Sequence, residues 1–161
     1  MLDEGLRLCS GNIRTFVQDN HTLMQAASDW HALAMAIFAF EELAKYSELK
    51  LAKQSATGDE VEINDRLFKD HKYKQDIARR LLPPDVVDLF PAGYGRQRYG
   101  ESWYDMESTM VSPDLRLDAV FVNWKDGQWV VGAPFLPERL KNFVDEIINA
   151  LNKLETESIK S

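Results

Sequence analysis

The stretch from Trp30 to about Gln54 constrains the fold more than any other part of the chain. Leu33, Ile37, Phe40, Ala44 and Leu51 recur at helical spacing and form one apolar face, while Met35, Phe38, Leu43 and Leu49 put apolar atoms on the others. A helix that is apolar nearly all round predicts a central element, covered on several sides by its own domain or by a partner subunit. The 161 residues suit a single domain with a real hydrophobic core.

The rest of the chain supplies covering elements. Leu6, Cys9, Ile13, Phe16, Val17, Leu23 and Met24 mark an amphipathic first helix, weakened by Gly5 and Gly11. Ser28-Asp29 offers capping side chains before the central helix, and Ser55-Ala56-Thr57-Gly58-Asp59 ends it. A third helix is expected from Asn64-Asp65 to Leu82, where Pro83-Pro84 stops it for want of amide hydrogens. The segment from Pro91 to Gly100 reads as a loop. Val120, Val122 and Trp124 then alternate, Lys125-Asp126-Gly127 turns, and Trp129-Val130-Val131 returns, which predicts a short β-hairpin. Pro137 opens a last helix carrying Leu140, Phe143, Val144, Ile147, Ile148, Leu151 and Leu154. The expected fold is mainly α: one helical bundle of four to five helices over residues 1–156, with a short hairpin before the last helix and a frayed tail at 157–161.

Composition excludes several function classes. Cys9 is the only cysteine, so neither a disulfide framework nor a cysteine-based zinc site is expected, and a lone thiol suits a reducing cytoplasm. No apolar run reaches the ~20 residues that span a bilayer, and Met1-Leu2-Asp3-Glu4 lacks the basic start of a secretion signal. A net charge of −7 argues against a general phosphate-binding surface, though not against a local basic patch. No metal or nucleotide motif is visible, and no cofactor is expected.

Three clusters could carry chemistry. Glu41 and Glu42 stand between Phe40 and Leu43 on the apolar helix, where carboxylates are costly to desolvate unless a cation meets them, and Lys45 lies within one turn. The alternative is a solvated helix edge. His71, in the same helical arc as Leu67, Phe68, Ala78, Leu81 and Leu82, is expected to point inward and to need a carboxylate or carbonyl partner, which Glu41 or Glu42 could supply. That pairing suits a general acid or base, and equally a structural staple. Arg66 precedes His71 by five residues, about 140° away on a continuous helix. Arg96 and Arg98 alternate with Tyr94, Tyr99, Trp103 and Tyr104, and with Lys69, Lys72 and Lys74 they form a basic, aromatic set of the kind that binds single-stranded nucleic acid.

Phe40-Glu41-Glu42-Leu43-Ala44-Lys45 followed by Phe68-Lys69-Asp70-His71-Lys72-Tyr73-Lys74 resembles the AbiV-type abortive infection proteins. Asp118 to Asn123, with Trp129 and Pro134 behind, is similar to a third landmark of that family. The resemblance implies the HEPN superfamily of small helical bundles, which commonly pair as homodimers in phage defence and include metal-independent ribonucleases with an Arg-x(4–6)-His motif. Arg66 and His71 match that spacing, although Leu67 stands where a polar residue is usual. The implied roles are His71 as general acid or base, Arg66 stabilising phosphate charge, and Glu41 or Glu42 orienting the ring. Lys45, Lys69, Lys72, Lys74, Arg96 and Arg98 would contact the substrate. RNA or a phage or translation protein would be the partner. The rival expectation is a non-catalytic interaction module in which the Glu/His cluster only ties helices together.

Overall fold

The first helix, α1 (Leu2–Gln25), buries Cys9, Ile13, Val17 and Asn20 at spacings of four, four and three, the single stripe that its sequence predicts. Gly5 belongs to the packing: a Cβ there would stand 3.2 Å from Leu49 Cδ1 of the central helix, so its absence lets the two rods close up. The Ala27 amide donates to the Met24 carbonyl (3.1 Å) and the Ser28 amide to that of Leu23 (2.8 Å). This double bond pattern ends α1 with a left-handed residue, and that residue is an alanine, Ala27 at φ 54°.

The computed structural model describes residues 1–56, 61–87, 96–99, 102–105, 123–125, 128–130 and 137–157. The expected turn at 57–59, positions 91–95 and 100 of the expected loop, the strand motif at 118–122, the hairpin turn at 126–127 and the tail at 158–161 lie outside them, and positions 96–99 of that loop form a strand instead.

The central helix, α2 (Asp29–Ser55), is buried through almost every angular position from Ala32 to Lys50. It contacts each of the other described helices, so it is the hub of a mainly helical bundle. Its apolar perimeter is largely covered by its own chain, with Trp30, Met35 and Phe38 partly exposed and Leu51 half-exposed at the C-terminal end. Ser28 precedes α2 without a side-chain cap bond, and its hydroxyl lies 2.9 Å from His31 Nδ1 instead.

The expected third helix is interrupted. It forms α3 (Arg66–Lys69) and α4 (His71–Ala78), separated by Asp70 in extended conformation at φ −107°, ψ 106°. Asp70 causes the break: its Oδ1 accepts the Tyr73 amide at 3.0 Å and caps a new helix, while Arg66 donates to Oδ2 at 2.7 Å. Past Ala78 the chain tightens into turns before Pro83-Pro84.

The last helix, α5 (Pro137–Thr156), buries Leu140, Phe143, Val144, Ile147 and Leu151. Phe143 packs on Phe40 of α2 with ring centroids 5.1 Å apart. Its C-terminal carbonyls are served by Lys50 of α2, whose buried ammonium donates to Leu154 O and, at 2.9 Å, to Glu157 O. Arg14 and Ser10 of α1 reach Glu155 at 2.8 and 2.7 Å. Between α4 and α5, β1 (Arg96–Tyr99) pairs antiparallel with β2 (Ser102–Asp105), and β3 (Asn123–Lys125) with β4 (Gln128–Val130). No described helix is long and apolar enough to cross a membrane.

Candidate functional site

The break at Asp70 decides what the next helix presents. Restarting at His71, α4 sets His71, Lys74 and Gln75 on one face at i, i+3 and i+4, against Glu41 of α2. His71 Nδ1 lies 2.6 Å from Glu41 Oε2, Lys74 Nζ lies 3.0 Å from the same oxygen, and Gln75 Nε2 donates to Oε1 at 3.0 Å. Glu41, Lys74 and Gln75 are buried, whereas the His71 side chain keeps 36% of its surface exposed.

Removing Glu41 from water is expensive, and three donors on its two oxygens offset that cost. Burial pushes its carboxyl up, but the hydrogen bonds and charges of His71 and Lys74 together outweigh burial and hold it below the usual value. With Nδ1 held by the carboxylate, Nε2 is the ring nitrogen left for proton exchange. A fixed, half-exposed imidazole backed by an ionised carboxylate has the geometry of a general acid or base.

The adjacent Glu42 serves another contact. It pairs with Lys45 and accepts from Asn12 of α1 at 3.5 Å. Burial, helped by the Glu42 charge nearby, pushes the Cys9 thiol up to about 12, which keeps it protonated and unreactive. Glu42 and Lys45 thus form a tie towards α1, and Glu41 alone orients the histidine.

Several other expectations need correction. Lys74, assigned to a substrate-facing basic set, is buried and ion-paired, because it lies one turn beyond His71 on the same inward face. Phe68 is exposed rather than inward, since it belongs to the short α3 and the break takes it out of the α4 arc. Arg66 is not separated from the site by a continuous helix. Its guanidinium reaches back to Asp70, stacks 4.7 Å from the Tyr73 ring centroid, and is more than half exposed. Lys69 pairs with Asp65 at the surface, and Lys72 is exposed. Arg96 and Arg98 are described as β1 backbone, opposite Asp105 and Trp103. Among the described residues no three His, Cys, Asp or Glu side chains gather as metal ligands would.

Gln75 is the member of the cluster that sequence reasoning missed. Its signal was the i+4 spacing from His71, which sets the two side chains on one face of any helix over these residues. No family model, curated protein or solved structure matches the chain.

Proposed function

We propose that the protein is a HEPN-type bundle of the AbiV kind, with its hairpin ahead of the last helix, acting as a cytoplasmic homodimer on RNA or the translation machinery in phage defence. The observation that carries this reading is the Glu41–His71 contact of 2.6 Å beneath a half-exposed imidazole. In the catalytic form, neutral His71 takes the proton of an RNA 2′-hydroxyl through Nε2 as that oxygen attacks the phosphorus. The P–O2′ bond forms and the P–O5′ bond breaks, leaving a 2′,3′-cyclic phosphate and a 5′-hydroxyl end. In the complementary role, protonated His71 gives its proton to the departing O5′, and in a dimer two copies divide these roles. Arg66 neutralises phosphate charge by exchanging Asp70 for a phosphate oxygen, which is feasible because exposed ion pairs are held weakly.

One observation favours a second reading. Both oxygens of Glu41 are engaged, and its partner Lys74 is buried, as in a polar staple that fixes how α2 and α4 dock. On that reading the protein is a non-catalytic interaction module.

The deciding experiment incubates purified wild type, His71→Ala and Arg66→Ala with total RNA and a chelator. Cleavage by wild type that vanishes in both variants, with helicity unchanged by circular dichroism, supports the ribonuclease. RNA left intact by folded wild-type protein selects the module.

A further inference from the structure

Two donors converge on a single oxygen of Glu41: His71 Nδ1 at 2.6 Å and Lys74 Nζ at 3.0 Å, both on Oε2. Lys74 is 3% exposed, so its ammonium is fixed there rather than free to swing into solvent. A proton added to His71 puts a second cation on an oxygen that already carries one. Glu41 favours that proton by attraction, and Lys74 opposes it by repulsion at short range.

We infer that Lys74 is a positioning residue that shares Oε2 of Glu41 with the imidazole and sets the pH at which His71 holds or releases its Nε2 proton. The other charges on these elements are arranged differently. On α3 and at the break, Arg66 is matched by Asp70; on α2, Glu42 is matched by Lys45; on α4 itself, Lys72 is exposed. Glu41 and Lys74 are the buried pair in direct contact, and Gln75 adds a neutral donor on the opposite oxygen. Lys74 therefore acts through Glu41 without touching a substrate. The inference rests on reading His71 as the proton-transfer group, but its test does not require RNA cleavage.

The test follows the three histidine ring signals by NMR across pH in the full chain, with His71 assigned by its loss in His71→Ala. Lys74→Met keeps the length of the stem and removes the charge. It is expected to move the His71 midpoint upward by about one pH unit, the scale of a neighbouring charge. Lys74→Arg, which keeps the charge, is expected to leave the midpoint in place. A folded Lys74→Met protein with the wild-type midpoint overturns the inference. Should that variant not fold, the wild-type Lys74 Nζ signal decides: it must carry an inflection at the His71 midpoint, and a flat response overturns the inference. If RNA is cleaved, the pH–rate profile of Lys74→Met shifts in the same direction. If RNA is never cleaved, the ribonuclease reading fails while the ring titration still decides the role of Lys74.

Discussion

The central helix meets its neighbours in two ways. Towards α1 and α5 it uses mainly apolar surface, Phe38 on Phe16, Phe40 on Phe143, and Leu49 over the missing side chain of Gly5, beside the polar contacts of Glu42 and Lys50. Towards α4 it uses a charge, Glu41, with three donors arranged around it. Apolar contact has no direction and scales with area, so each ring contributes on its own account. A buried charge stabilises only when its partners are present together, so the α2–α4 seam behaves as a unit.

Removing one member from each side exposes the difference most clearly. Phe143→Ala should cost about 3–5 kcal/mol in denaturant unfolding, and removing Phe40 as well should make the loss larger. Glu41→Leu should also cost about 3–5 kcal/mol, because it strands the Lys74 ammonium. Here the second change should help. Adding Lys74→Met to Glu41→Leu should restore at least half of the loss, with the remainder due to His71 and Gln75 lacking their acceptor. A double variant no more stable than the single one would show that charge does not govern this seam.

Acid tests the same contrast more gently. The folded Glu41 carboxyl titrates below its ordinary 4.5 because its partners outweigh burial, so the unfolded chain takes up that proton first. Its contribution to stability is complete above that value and is lost as the pH falls through the folded value. Glu41→Gln should therefore show a shallower decline in stability between roughly pH 5 and pH 3 than wild type. Parallel declines would contradict the sign.

The smallest effect lies in the turn between α1 and α2. Ala27 holds a left-handed conformation that costs an L-residue more than a glycine, so Ala27→Gly should raise stability by about 0.5–1 kcal/mol. An unchanged thermal midpoint would show that the turn relaxes around the side chain.

These contrasts also explain what could be read from the sequence. Periodicity reports area, so the all-round burial of α2 and the stripes of α1 and α5 were legible in Leu33, Ile13 and Phe143. The approach of a carboxylate from α2 to His71 was legible too, because an inward imidazole needs a partner. Periodicity is silent about local competition for hydrogen bonds. Asp70 sits in a stretch whose pattern is helical, yet its side chain captures the Tyr73 amide and restarts the helix, which changes the faces of Phe68 and Arg66. Choosing between Glu41 and Glu42 required the docking angle of two helices, which no spacing along one chain contains.

Lys50 carries a consequence for the order of events during synthesis. The Leu154 carbonyl that it serves is made 104 residues later. At roughly 5–20 residues per second, translation separates them by about 5–20 seconds. Throughout that interval the ammonium has no acceptor from α5 and remains in water, so the nascent α1–α2 pair is left open at that end. A ribosome that stalls before the last helix emerges leaves a half-built rod pair, apolar along its flank and charged at its mouth, as a target for chaperones and proteases.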